Sequence, residues 1–593
     1  MGARRRRLMV AHLHVHSTYS FGVGASPVEE ICAAAARRGV EAIALTDRMG
    51  MYATVPFIDA AARAGIHPVL GAEIEVPGGM RAILLARDRD GYSAVCRIVT
   101  ASRLDPAFRL PLAIAADRDG VVVISDHPEL LAGLVAAGMR DDVYVEIGPR
   151  SVPGAGETQG PSGVPRGRLI RLAREMGLSA VATNPVHFTD PADHALCKLL
   201  GAVFANAGIA EPTPGGRPPP PPSAWLLDEA TFRAGMADVP GALDLASEIA
   251  SRCRVDLDLG RYKFPRYPLP PGIGGSASDL LAARAIDGLR RRTAGRPGRA
   301  YTARLADELR VIGQTGYPDY FLVVGDIASF ARGRGIPMCG RGSAAGSLVA
   351  WSLGLSEVDP VAHGLCFERF LHVGRKDAPD VDLDFAWDRR DEVIEHVFDR
   401  FGRDRVAMIS THATFAARGA LREMAKVHGV PEVEIGRITR RLPWHLGASR
   451  IREALESGVA AGAGRGDGEP WRGEPWRSIL GYAARVDGFP RHLGIHAGGI
   501  VIAPSRITDF VPLERMPSGF VVSQWDMGPV ERAGLVKIDL LGNRSLAVID
   551  GAWEAVAGHV GRDEASRLAS ADPTRDGQTR RLIREARTLG CFY

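Results

Sequence analysis

Cysteine, long apolar runs and excess charge are all in short supply in this chain. Its seven cysteines are dispersed without a Cys-x-x-Cys pair, which argues against a zinc finger or a disulfide scaffold and leaves reduced thiols as the expectation. No apolar run approaches the roughly 20 residues of a membrane span. The apolar stretch after Arg4–Arg7 is too short for a signal peptide. The protein is therefore expected to be cytoplasmic, with no membrane partner. A formal net charge of +4 over 593 residues is too small to imply nucleic-acid binding, so only local basic clusters carry information. One lies at Arg437–Arg441 with Arg450 and Arg452, which suits either DNA phosphates or a solvated helix face.

What is present is a 46% hydrophobic, 24% charged sequence, long enough for several folded domains. Its most informative stretch is 337–385. Pro379-Asp380-Val381-Asp382-Leu383-Asp384-Phe385 alternates acids with strand-forming apolar residues, so Asp380, Asp382 and Asp384 share one face and Val381 and Leu383 the other. Stacked like charges repel, which a divalent cation relieves; an acidic edge strand in water is the alternative. Upstream, Gly340-Arg341-Gly342-Ser343-Ala344-Ala345-Gly346-Ser347 lies between apolar segments and reads as a strand entering a helix, whose N-terminal amides favour anions. Gly340 and Gly342 permit close backbone approach, Arg341 offers a cationic fork and Ser343 a hydroxyl. No Gly-Lys-Ser/Thr follows, so this is not a Walker A loop, and a tight packing turn is the alternative reading.

Between residues 9 and 255, strand-like runs (42–45, 69–74, 82–86, 121–124, 143–147, 180–182) alternate with helix-like ones (29–38, 57–64, 167–176), which implies parallel βα units. Residues 211–223, with five prolines at 218–222, read as a stiff exposed loop. A glycine-rich stretch, 458–477, carries Gly-Glu-Pro-Trp-Arg twice, too few copies for a solenoid. It reads as loop decoration, or as a loop whose tryptophans lie near a duplex.

Together, Cys339-Gly-Arg-Gly-Ser-Ala-Ala-Gly-Ser-Leu-Val, Phe367-Glu-Arg-Phe-Leu371, the Asp380–Asp384 segment, Gly534-Leu-Val-Lys-Ile-Asp-Leu-Leu-Gly542, Arg491-His-Leu-Gly-Ile-His-Ala-Gly-Gly-Ile-Val-Ile502 and His12-Leu-His-Val-His16 resemble the C-family bacterial DNA polymerases, the DNA polymerase III alpha subunit and error-prone polymerases. The resemblance implies an α/β multidomain chain: a PHP (polymerase and histidinol phosphatase) distorted α/β barrel at 1–255, then a polymerase beta-like nucleotidyltransferase palm at 256–411 and 490–560. A helical thumb would be inserted at 412–489, and 561–593 would begin the fingers. The end, Thr588-Leu-Gly-Cys-Phe-Tyr593, resembles a motif that normally continues, so the rest of the fingers, the clamp-binding region and the OB-fold are expected to be missing.

Carried over by position, the catalytic carboxylates are Asp380, Asp382 and Asp539, ligands for two Mg2+ ions, with Asp384 a spare acid. Gly342 and Ser343 match contacts to the incoming triphosphate, with Arg341, Arg369 and Lys537 as further cationic partners; Lys537 shares a strand face with Asp539. The implied partners are primer-template DNA, dNTPs and, through the missing region, a sliding clamp. In the PHP domain His14, His16, Glu73 and His187 fall on metal-ligand positions, whereas Arg48 and Pro185 replace ligands, Val23 replaces an acid and Arg150 another histidine. Arginine cannot ligate a metal, so the PHP site is expected to be inactive and metal-free, with Arg48 a salt-bridge hub to Glu73 and Asp47. The degenerate site favours an error-prone accessory polymerase over a main replicase. The alternatives are a PHP-domain phosphoesterase or 3′-5′ exonuclease, and a non-catalytic product that binds DNA or partners.

Overall fold

The computed structural model describes residues 10–152, 156–157, 161–208, 219–271, 275–375, 378–456, 473–569 and 575–587. The chain end at 588–593, the Arg4–Arg7 cluster, the first Gly-Glu-Pro-Trp-Arg copy and most of the proline-rich stretch lie outside these residues. Two compact units emerge: residues 1–263, 404–496 and 501–536 form one, and 264–403, 497–500 and 537–593 the other.

The first unit is built on a seven-stranded sheet in the order Ala11–Val15, Ala42–Leu45, His67–Glu75, Arg81–Ala86, Val121–Ser125, Val143–Ile147, Ser179–Ala182. The strand and helix positions match the periodicity in the sequence, but the sheet is not wholly parallel. Arg81–Ala86 runs antiparallel to both neighbours because only a short turn, too short for a crossover helix, separates it from His67–Glu75. Past the last strand the chain returns to the first: His16 N–H donates to Val186 O (2.8 Å) and Val186 N–H to His14 O (2.9 Å), so the sheet curls towards closure. Helices pack outside by ordinary amphipathic stripes; Val28–Arg37 buries Val28, Ile31, Cys32 and Ala35 at helical spacing.

Residues 404–536 of this unit add strands Val406–Thr414, Leu513–Arg515 and Val521–Ser523, fastened to the barrel by polar bonds. Gln524 Oε1 accepts from Met51 N–H (2.8 Å), Trp525 Nε1–H donates to Met51 O (3.0 Å) and Thr100 Oγ1 accepts from Leu513 N–H (2.9 Å). Residues 412–489 contribute helices Ala417–Val427, Glu432–Thr439, Ile451–Glu456 and Trp476–Arg485, which share an apolar core with helix His194–Ala205. Trp476, from the second Gly-Glu-Pro-Trp-Arg copy, is not exposed decoration. It is buried and its N–H donates to Glu434 Oε1 at 2.8 Å, tying two helices together. Arg437, Arg440, Arg450 and Arg452 are exposed here, and Arg450 is paired with Glu453.

In the second unit, helices Ala277–Arg292, Arg299–Thr315 and Pro318–Gly333 precede strand Met338–Arg341, a 3-10 turn Gly342–Gly346 and helix Leu348–Leu353. Strand Asp382–Ala386 lies between Met338–Arg341, to which it is antiparallel, and Lys537–Asn543, to which it is parallel. Val381, Leu383, Phe385, Ile538 and Leu540 are fully buried, which fixes the opposite, polar face of the two parallel strands. Among the described residues no helix is long and apolar enough to cross a membrane, and six cysteines are free.

Candidate metal centres

Register places the acids of the second unit. Arg341 is paired with Asp382 across one strand interface, and Asp382 with Asp539 across the next. Since side chains opposite one another in register share a face, Arg341, Asp382 and Asp539 form a row, with Asp380 just before the strand. One carboxylate oxygen from each of Asp380, Asp382 and Asp539 lies within 4.8 Å of the others. Burial deepens along the set, from exposed Asp380 through half-buried Asp382 to buried Asp539. Burial and then the charges of Asp380 and Asp539 raise the Asp382 pKa. Three hard oxygen donors under mutual repulsion suit divalent cations, which would convert that repulsion into coordination.

Cations border the set without filling it. Lys537 Nζ is 2.9 Å from Asp539, as its spacing of two predicts. Arg341 Nε is 3.3 Å from Asp384 and 3.7 Å from Asp382, and its side chain stays 53% exposed, so it is able to leave. Asp384 is held aside: Asn543 Nδ2 donates to its Oδ2 (2.9 Å), while Asn543 Oδ1 caps the helix Arg544–Val560. Below the acids, buried Tyr320 accepts from Val381 N–H at 3.1 Å and fixes the backbone between Asp380 and Asp382. Arg369 sits exposed on the 3-10 turn Phe367–Arg369, and among the described residues no contact brings its side chain to the triad.

The glycine-rich turn differs from its sequence reading in one respect. The helix that follows does not offer its N-terminus to an anion, because a carboxylate of the protein already occupies it. Buried Glu308 accepts from Leu348 N–H, Val349 N–H (both 3.0 Å) and the Ser347 hydroxyl (2.8 Å), and pairs with Arg304. What remains for phosphate is the preceding 3-10 turn. Gly342 opens it at φ +75°, a conformation side chains disfavour, with open space where a Cβ would be. Gly340 is required by packing instead: a Cβ there would stand 1.9 Å from Leu355 O.

The first unit holds a second cluster, and here the sequence reading needs correction. Arg48 is not the hub. Its side chain is 30% exposed and pairs with Glu75 at 3.0 Å, while Asp47 accepts from Ser17 N–H, Ser17 Oγ–H and Ser20 Oγ–H at 2.6–2.7 Å. The buried cation is Arg81. Its Nη1 donates to Glu73 Oε1 (2.6 Å), and its Nη2 meets both Asp126 Oδ1 (2.9 Å) and Glu146 Oε2. Burial opposes the Arg81 charge, but the three carboxylates outweigh it and raise its pKa. Burial likewise disfavours the Glu146 carboxylate, yet Arg81 and His14 together bring its pKa down to about 2. His14 Nδ1 bonds Glu146 Oε1 (2.7 Å) and its Nε2 faces His16 Nε2 at 2.9 Å. Half-buried His187 stacks on His16 (4.4 Å between centroids). Pro185 is half-buried, the Val23 carbonyl accepts from Cys197, and Arg150 is exposed.

Arg81, Asp126 and Glu146 were missed, although a signal existed. Each lies in step, at a spacing of two, with inward-facing apolar residues of its strand: Ile83, Ile124 and Tyr144. A charged residue in the core-facing phase of a buried strand requires a buried partner.

Residues 12–138 match the family model for the PHP domain, and residues 279–542 match that for the bacterial DNA polymerase III alpha NTPase domain. The chain thus carries a PHP domain and a bacterial DNA polymerase III alpha NTPase domain. It is 35% identical over 583 residues to the error-prone DNA polymerase of Symbiobacterium thermophilum, covering 92% of this chain and 52% of that protein. To the DNA polymerase III subunit alpha of Bacillus subtilis it is 32% identical over 599 residues (98% and 52%), and to that of Escherichia coli K12 33% over 596 (92% and 49%). The chain thus spans about half the length of the curated relatives it matches.

Proposed function

We propose that this chain carries the catalytic centre of a DNA-directed DNA polymerase that adds dNTPs to a primer 3′-hydroxyl. Residues 256–411 and 490–560 serve as palm, 412–489 as thumb and 561–593 as the start of the fingers. The observation that carries the reading is the adjacent register of Arg341, Asp382 and Asp539, with Asp380 completing three acids within 4.8 Å. Two Mg2+ ions held by Asp380, Asp382 and Asp539 would supply activation of the hydroxyl and neutralisation of the triphosphate. The rest is positioning. Lys537 keeps Asp539 oriented and neutralises a phosphate oxygen. The turn opened by Gly342 and Ser343 holds the β- and γ-phosphates, and Arg341 leaves the acids to pair with them. Arg369 serves the outer phosphates or the template. DNA, dNTPs and a sliding clamp are the partners, and the role is bacterial replication or error-prone repair synthesis.

Primer extension with Mg2+ by the protein and by its Asp382→Asn variant tests the reading, alongside Mn2+ titration followed by electron paramagnetic resonance. Loss of both extension and triad Mn2+ binding in the variant is expected. Unchanged Mn2+ binding in Asp382→Asn sinks the assignment, whatever the level of extension.

A further inference from the structure

The PHP fold implies metals, and His14, His16 and Glu73 do offer three ligand atoms within 4.8 Å of one another. Whether the surrounding residues fit an ion is a separate matter, decided by the charge already in place.

Glu73 Oε1 is already bonded to the Arg81 guanidinium at 2.6 Å. A zinc or manganese ion ligated by that oxygen at about 2.1 Å would lie no further than roughly 4.7 Å from a full positive charge. Arg81 has no room to withdraw. It is 2% exposed, its other terminal nitrogen is committed to Asp126 and Glu146, and those two acids are themselves fixed by Ser162 and Thr183. Nor can the guanidinium lose its charge to make way for the ion.

The histidines are engaged within the protein as well: His14 Nδ1 bonds Glu146 Oε1 (2.7 Å), His16 Nδ1 lies 2.9 Å from Ser20 Oγ, and the two Nε2 atoms face each other at 2.9 Å.

We propose that Arg81 is the resident cation of this cluster: it pairs with Glu73, Asp126 and Glu146 and keeps divalent metals out. The PHP unit of this chain therefore has no metal-dependent phosphoesterase or exonuclease activity. The cluster instead ties together the strands that carry Glu73, Arg81 and Glu146, and the Glu73 backbone bonds Asp47 and Met49 of the loop to which Gln524 and Trp525 are bonded.

The test counts zinc in the whole protein. Wild type and His14→Ala are incubated with Zn2+, desalted and measured by inductively coupled plasma mass spectrometry, both in an Asp382→Asn background so that the triad contributes nothing. Equal zinc content is expected. A stoichiometric fraction of zinc that disappears with His14 overturns the proposal. In the same background Arg81→Met, which removes the cation but keeps the bulk, is expected to lower Tm by at least about 5 °C. It should also gain His14-dependent zinc that restores part of the loss. An Arg81→Met protein as stable as its parent, with no response to Zn2+, equally overturns it. Should Arg81→Met not fold, the comparison of the two proteins that keep Arg81 decides alone.

Discussion

Neutralising one acid of the triad should stabilise the protein while destroying its proposed activity. Asp382 is the acid to change, because it stands between Arg341 and Asp539 in register and its pKa is raised by burial and by Asp380 and Asp539. Carboxylate oxygens within 4.8 Å of one another repel by about 3.5 kcal/mol at that limiting distance and an effective dielectric constant near 20. Screening reduces this: Asp380 is exposed, and Arg341 and Lys537 offset part of the repulsion, so about 1 kcal/mol is expected to survive. The sign follows from the raised pKa. The folded state disfavours ionised Asp382, so the stability is intact below the ordinary carboxylate range near pH 4 and is lost as pH rises through the folded value. In EDTA at pH 7 Asp382→Asn should therefore unfold about 2–4 °C above wild type, and the gap should shrink as pH falls to 4. Mg2+ should raise the wild-type Tm and leave the variant where it was. Thermal unfolding followed by circular dichroism, with and without Mg2+, reads all three. A variant less stable than wild type in EDTA would refute the reasoning, since the acids would then be held by favourable contacts and not by cations yet to arrive.

Glu308→Gln removes the charge that accepts from Ser347, Leu348 and Val349, and should cost about 2–4 kcal/mol, seen as a lower urea midpoint. Asn543→Ala removes both a helix cap and the donor to Asp384; a loss of about 1 kcal/mol is expected in the same measurement. Asp326, whose burial is outweighed by bonds from His396, Tyr267 and Arg400, has its pKa lowered to about 2. Its contribution is present above the ordinary value near 4 and is lost as pH falls towards 2, so Asp326→Asn should flatten the acid limb of the unfolding curve.

The positions of the strands and helices were legible because burial imposes a period of two or 3.6 on the chain, and the triad was legible because Asp380, Asp382 and Asp539 each sit in a short strand-like run. Two things were not. The antiparallel strand Arg81–Ala86 looks like its parallel neighbours in composition, and only the short connection before it betrays the reversal. Glu308, far upstream of the glycine-rich turn, fills the helix N-terminus that follows the turn; no local pattern announces a partner about 40 residues away. Arg48 is conspicuous because it stands where the family resemblance implies a metal ligand, whereas Arg81 acts from another strand and is found only by asking which charges lie in the core-facing phase.

The two clusters solve one electrostatic problem in opposite ways, and the difference lies in where the protein's own cations stand. In the first unit Arg81 is 2% exposed and lies among Glu73, Asp126 and Glu146, so the acids are paired from within and a further cation would meet like charge. In the second unit Lys537 contacts Asp539 from its own strand, and half-exposed Arg341 reaches Asp382 only at 3.7 Å, at a set of acids that ends in exposed Asp380. A buried guanidinium cannot be exchanged, whereas a solvent-facing set of acids can bind and release ions with each substrate. On the proposed function, the same chemistry of clustered carboxylates gives a fixed structural element in one case and a renewable reaction centre in the other, and the accessibility of the neutralising charge decides which.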